Sequence, residues 1–489
     1  MRLILMSVGL LTCSLLTTAA IGQSSDNTHK QPVPAIKQVN PQQLNIIAQA
    51  TQDIAESYFK MGWFSGSVLV AKDGGIILEK SYGFSNLKTQ NKNTRVTKFN
   101  LGSIMKNFTR VLVLQQIQHN ALSLNDTLDK FKLGFKEDIA TKITIKHLLN
   151  HTSGFPDIFT AGYRENQLGF DTLNKKLELH KNTPLLFEPG SDSKYSNYGY
   201  IVLGAILEKV TGSAFEQLLV SKIFKPLALN NTSFKVNALD GNQSIRYTYL
   251  YDGSLKEVGV TEHPSPDGGI ESTPADVLTF YRELFYGDKL LDRSHPTIRA
   301  AFNMDGEHWG AYGGGLGVSS AVEINLVEGI EIVVLANTDH LVAELISGRV
   351  HSFIKTGSYQ SARERAINYA YRIYKEQGKN RFYKNFKQHY EQDGYTQFIG
   401  RTINELGMQL MDTESWNEAF DIFNYLVATF PEAPQAYDSL AFAHLSKGET
   451  AMAKTIFEKA LAINPNFNSD YVSDNYGHSK YDHSIYRPR

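Results

Sequence analysis

The chain has 489 residues, of which 42% are hydrophobic and 20% charged, and its formal net charge is -1. That length is too great for one ordinary core, and the composition excludes wholesale disorder. The near-neutral balance leaves no basic footprint for nucleic acid and gives no reason to expect an acidic partner.

The N-terminus reads as a secretory signal. Arg2 supplies a minimal positive region, Leu3 through Leu16 form an apolar run, and Ala20-Ile21-Gly22 fits a small-x-small cleavage site, so residues 1–22 are expected to be removed on export. The run is too short for a membrane span with stop-transfer flanks, and no later segment approaches the length a span needs. A periplasmic or secreted location without a transmembrane span is therefore expected. The single cysteine, Cys13, lies within the apolar run. Lipid attachment there fits less well than simple cleavage, because Thr12 is bulky for the preceding position and apolar sequence continues beyond Cys13. Cleavage after Gly22 leaves no cysteine, and so no disulfide, thiol nucleophile or thiolate metal site.

Residues 23–43 are polar and punctuated by proline, which predicts a flexible leader. Val68-Leu69-Val70, Asp73-Gly74-Gly75 and Ile76-Ile77-Leu78 predict a β-hairpin. A helix-rich stretch follows from Ser103 to about Lys225, and strand signals return late, most clearly at Ile330 to Leu335. Strands at both ends with helices between them predict an α+β domain over residues 44–357, its sheet closed by distant segments. Residues 358–489 predict an all-α domain. Tyr437, Leu440, Ala441, Gly448, Ala453, Phe457, Ala460 and Pro465 resemble the tetratricopeptide pattern. A looser copy stands at Ile403, Leu406, Gly407, Glu414, Ala419, Phe423, Leu426 and Pro431, which places the repeats at about residues 400–467. Repeats imply stacking and not a ligand, so a structural cap and a groove for a protein partner are both open.

Ser-x-x-Lys occurs five times, at Ser57–Lys60, Ser85–Lys88, Ser103–Lys106, Ser191–Lys194 and Ser352–Lys355, so the spacing alone selects nothing. Ser103 is set apart by its context. It follows Phe99-Asn100-Leu101-Gly102 and opens a run with Val111, Leu112 and Leu114, the pattern of a buried helix. A serine at a helix start is also a favoured cap. Residues three apart share a helix face, which brings the Lys106 amine beside the Ser103 hydroxyl. A lysine desolvated there is expected to lose proton affinity and act as a base. Tyr195-Ser196-Asn197 lies between the turn Phe187-Glu188-Pro189-Gly190 and an amphipathic helix ending at Gly212. A loop so placed presents polar groups: Tyr195 can carry a proton, and Asn197 can donate to a substrate carbonyl while positioning Lys106. Tyr-x-Asn recurs at Tyr383–Asn385, so this spacing is not unique either.

The ordered set is more specific. Ser103-Ile104-Met105-Lys106, Leu148-Leu149-Asn150-His151-Thr152-Ser153-Gly154, Glu188-Pro189-Gly190 leading to Tyr195-Ser196-Asn197, and Gly268-Gly269-Ile270-Glu271-Ser272-Thr273 resemble the serine β-lactamase/penicillin-binding-protein-like family, on its class C and esterase branch. The resemblance runs roughly from Phe64 to Lys355. It implies a helical subdomain packed on a sheet subdomain, as in a β-lactamase/transpeptidase-like fold, with Ser103 acylated, Lys106 and Tyr195 sharing the proton work, Asn197 orienting, and His151 in a structural turn. It also implies hydrolysis of an ester, amide or lactam in a small-molecule or peptide substrate, with no cofactor and no metal.

The third family motif, Lys-Thr-Gly or His-x-Gly, departs from the pattern. Lys355-Thr356-Gly357 has the letters but follows the Ile330–Leu335 strand, which is the wrong order. The fitting position is Tyr312-Gly313-Gly314-Gly315, with Tyr312 where a cation is usual. These glycines permit close backbone approach, and the Gly315 amide can pair with the Ser103 amide as an oxyanion hole. The missing cation disfavours substrates that need their carboxylate bound. The competing expectation is a slowly acylated or non-catalytic relative of penicillin-binding proteins whose repeats bind a protein partner. No Gly-x-Ser-x-Gly elbow is present, and the histidines lack zinc-site spacing.

Overall fold

The computed structural model describes residues 40–234, 241–260 and 262–469. The described chain divides into two compact units, residues 40–364 and 365–469. The expected signal segment, the lipidation question at Cys13 and most of the leader lie outside the described residues. Among the described residues, no helix is long and apolar enough to cross a membrane.

The first unit begins with α1 (Pro41–Lys60), which takes in the last residues of the expected leader. Asn40 starts it by accepting from the Gln42 amide, and proline occupies the first turn, where its missing N–H costs nothing. The predicted hairpin follows as β1 (Gly66–Lys72) and β2 (Gly75–Tyr82). Its two turn residues, Asp73 and Gly74, both take positive φ, 46° and 90°, the combination that matches the twist of paired strands.

Three late strands, β3 (His308–Gly315), β4 (Val318–Asn325) and β5 (Ile330–Ala336), complete an antiparallel sheet in the order β2-β1-β5-β4-β3. β5 pairs with both β1 and β4, Val334 lying opposite Val68 on one side and Ala321 on the other. Every residue of β5 is buried because both sheet faces are covered. Val68, Val70, Ala321, Ile332 and Val334 face α1 and a late helix, α5 (Val342–Thr356). Leu69, Ala71, Val322, Val333 and Leu335 face the helical region.

That region is built on α2 (Met105–Gln118), α3 (Asn197–Thr211) and α4 (Pro274–Tyr286). Ser196 caps α3 by accepting from Gly199 N, and Gly212 ends it at φ 66°. Phe108 of α2 stacks on Phe280 of α4 with ring centroids 3.8 Å apart, tying α2 to a helix that also lies on the sheet. Lys355-Thr356-Gly357 ends α5, with Gly357 as its left-handed C-terminal residue.

The second unit is helical throughout its ordered elements: α6 (Ala366–Gln392, broken at Gly378), α7 (Ile399–Asp412), α8 (Trp416–Thr429), α9 (Pro434–Ser446) and α10 (Thr450–Ile463). α7 packs on α8 and α9 on α10, and the second pair repeats the buried pattern of the first. Leu406, Ala419 and Phe423 correspond to Leu440, Ala453 and Phe457. A Cβ on Gly407 would lie 2.6 Å from the Phe423 ring, so glycine lets these two helices approach.

Leu69 is fully buried at the join between sheet and helical region. Leu69→Ala should lower unfolding free energy by about 2–5 kcal/mol, whereas Val327→Ala, at a position 60% exposed, should change it by no more than about 0.5 kcal/mol. Denaturant titration of the two variants measures the contrast.

Candidate active site

Ser103 lies in a single 3-10 turn, Gly102–Ile104, immediately before α2. The Ser103 side chain caps neither the turn nor α2, so the capping explanation for this serine does not hold. The turn is wedged against the edge strand β3. A Cβ on Gly102, whose φ is +51°, would lie 2.9 Å from Gly314 N, and one on Gly313 would lie 2.0 Å from Leu101 O. Ser320 Oγ of β4 donates to Leu101 O at 2.8 Å and fastens the turn to the sheet.

Lys106 is the second residue of α2, three residues after Ser103, and is only 6% exposed. Its Nζ donates to Ser103 Oγ at 3.0 Å, Asn197 Oδ1 at 2.7 Å and the Asp267 carbonyl at 2.5 Å. An ammonium has three hydrogens and no lone pair, and these three acceptors use all of them. Burial alone would strip the charge, but Tyr195 and the Asp267 carboxylate outweigh it and hold Lys106 above the ordinary lysine range. The direction is opposite to the loss of proton affinity expected from burial alone.

Tyr195 Oη donates to Ser103 Oγ at 2.7 Å, so the serine oxygen sits between a phenol and an ammonium. Asn197 is the first residue of α3 and is oriented by Asp157, whose carboxylate accepts from Asn197 N at 2.9 Å and Nδ2 at 3.1 Å. Burial pushes the Asp157 carboxyl above its usual range, against the pull of the Ile158 and Asn197 amides. With Nδ2 donating to Asp157 and Oδ1 accepting from Lys106, Asn197 holds the lysine.

A cleft of about 240 Å³ opens over Ser103, lined also by Lys106, Arg110, His151, Tyr195 and Trp309. His151, read from sequence as a turn residue, has φ +58° and accepts from Ser196 N at 3.2 Å. Its ring stacks on Tyr195 with centroids 4.5 Å apart. Burial, then the charges of Lys106 and Arg110, lower its pKa to about 3, so it is neutral. Tyr312 also borders the cleft, but its Oη donates to Glu323 Oε1 at 2.7 Å. Its strand partner is Ala321, which faces α5. The Tyr312 hydroxyl therefore does not reach toward Ser103 in place of the usual cation. Gly313 is buried under Leu101, while Gly314 and Gly315 are exposed at the end of β3.

Sequence reasoning missed Asp157, the Asp267 carbonyl and Arg110. Arg110 was within reach, since it follows Lys106 by four residues and shares its helix face. It donates to the Ala301 and Leu149 carbonyls and to Tyr200 Oη, joining α2 to three other segments. Asp157 carries no spacing signal, and a carbonyl acceptor such as that of Asp267 leaves none in any sequence.

The sequence model of the Beta-lactamase family matches residues 52–351. Penicillin-binding protein 4* of Bacillus subtilis is 26% identical over 254 residues, covering 48% of this chain and 56% of that protein. Protein flp of Staphylococcus aureus is 28% identical over 343 residues, covering 63% of this chain and 68% of its own length. Among solved structures, a D-stereospecific amidohydrolase from Streptomyces matches in fold with a TM-score of 0.53 and 22% identity, over 64% of this chain and 99% of that one.

The neutral His151 has a consequence for stability. The unfolded chain takes up a proton near the ordinary value of 6.5, and the folded one only near 3. Stability from this residue is complete above 6.5 and is lost as pH falls toward 3. In thermal melts across that window, His151→Phe should show a shallower decline in Tm with falling pH than the native protein.

Proposed function

The chain belongs to the beta-lactamase family of serine hydrolases, and on that premise we propose that it hydrolyses a carboxylic ester or amide through an acyl-enzyme formed on Ser103. One observation carries the reading. Ser103 Oγ is held between Tyr195 Oη at 2.7 Å and Lys106 Nζ at 3.0 Å, at the mouth of a cleft, with no structural hydrogen bond to explain it. Ser103 Oγ attacks the carbonyl carbon. In the reactive state Tyr195 is the phenolate, paired with the Lys106 ammonium; it takes the Ser103 proton as Oγ attacks, and the phenol so formed gives that proton to the leaving oxygen or nitrogen. Lys106 stays charged throughout and stabilises negative charge on the oxygens in a site largely shielded from water. The Ser103 and Gly315 amides receive the carbonyl oxygen, a role supported by the packing of the serine turn against β3. Water then attacks the acyl carbon by the same route, releasing the acid.

The substrate class follows from the cations. Lys106 is committed to three protein acceptors, and Arg110 turns both Nη atoms onto protein oxygens. Tyr312 brings no charge. We therefore propose that esters and amides without a free carboxylate next to the scissile bond are preferred over penicillins and D-alanyl peptides. We propose further that the protein acts in the periplasm or outside the cell after loss of residues 1–22. The second unit is proposed as a tetratricopeptide-like module for a protein partner, supported by its two helix pairs with matching buried residues.

Intact-mass measurement after incubation with a panel of esters, lactams and D-amino-acid amides tests the reading. An acyl adduct on Ser103 that turns over with short esters is expected. Ser103→Ala should lose the fluorophosphonate adduct and lower kcat/KM for an ester reporter by about 10³-fold or more, and Lys106→Ala by about 10²–10⁴-fold. A Ser103→Ala protein with full activity ends the proposal. A stable adduct without turnover favours the non-catalytic relative.

A further inference from the structure

On the sheet face away from the cleft, three metal-ligating side chains converge from separate elements. His308 comes from the start of β3, Glu323 from β4 and His351 from α5. One donor atom from each lies within 4.8 Å of the other two. Glu323 is 4% exposed. One of its carboxylate oxygens is in contact with His308 Nε2, and the other accepts from Tyr312 Oη at 2.7 Å and from Ser347 Oγ at 3.4 Å.

An ion pair would account for His308 and Glu323. It does not account for the second imidazole. The His351 ring lies with its centroid 4.4 Å from that of His308 and has no hydrogen-bond partner among the described residues. Two imidazole nitrogens and one carboxylate oxygen form a ligand set suited to zinc. Zinc–ligand bonds place such donors roughly 3.3 Å apart, so donors already within 4.8 Å of one another have little distance to close. The outer contacts are also of the right kind: Tyr312 and Ser347 hold the carboxylate as second-sphere partners hold a metal-bound acid. All three ligands stand on strands or a helix, which keeps the set rigid.

We propose that His308, Glu323 and His351 form a binding site for a divalent first-row transition metal, zinc above all, which ties α5 to the edge strand β3. The site gives Tyr312 a purpose outside the cleft, as the hydroxyl that orients the metal-binding carboxylate. The ligands are scattered over residues 308, 323 and 351, which is why no spacing motif announces them.

The test uses tag-free full-length protein, stripped with EDTA and dialysed against zinc chloride. One zinc per chain at micromolar or lower Kd is expected, with a rise in Tm. His351→Ala removes a ligand that makes no structural hydrogen bond, so it should fold, and it should lose the high-affinity zinc and the Tm rise. Tyr312→Phe should weaken binding about tenfold. The proposal is overturned if the native protein takes up no zinc at micromolar concentration, or if His351→Ala and the native protein bind it equally.

Discussion

The buried amine of Lys106 is the constraint around which the first unit is arranged. An uncompensated cation there would give up its proton or destabilise the fold by several kcal/mol. Lys106 avoids both because three segments far apart in the chain each deliver an oxygen: the serine turn, the start of α3 and the loop at Asp267. Each acceptor must be aimed. Asp157 aims Asn197, and the Ser196 cap fixes where α3 begins. Ser103, the proposed nucleophile, is thereby placed as a by-product of satisfying the lysine, since its Oγ is one of the three acceptors.

Much of this architecture is legible in the sequence, for reasons of periodicity. The hairpin shows through Asp73-Gly74 between apolar runs, and β5 through an unbroken apolar stretch that only a strand covered on both faces can carry. Ser103 and Lys106 show as a spacing, selected by the order of the motifs around them. The protonation state of Lys106 was not legible. Desolvation can be guessed from a helix pattern, but the Asp267 carbonyl and the Asp157–Asn197 link exist only in the folded chain. Tyr312 shows a different limit. Aligning a motif gives a residue's place along a strand, while its face depends on register, and alternate residues of β3 face opposite sides. Tyr312 consequently serves Glu323 and not the serine.

The edge position of β3 matters for chemistry as well as for packing. An edge strand leaves one row of backbone groups without a strand partner. Here the last three residues of that strand are glycine, and Gly313 and Gly314 lie against the turn that carries Ser103. A side chain at Gly313 would drive the turn away, so the absence of a Cβ is what lets the serine turn close on the edge strand.

The pairing of β1 with β5 sets a schedule for the making of this molecule. Val68 emerges from the ribosome long before Val334, its partner across the strand boundary. Closing so long a loop carries a large entropic cost before any contact rewards it, and the two strands cannot meet until nearly all of the first unit has been synthesised. β4 and β3 reach the sheet only through β5, and β3 is one wall of the cleft. The serine is thus synthesised early and armed late. A nascent chain has Ser103, the proposed nucleophile, but no finished cleft until β3, β4 and β5 have been made.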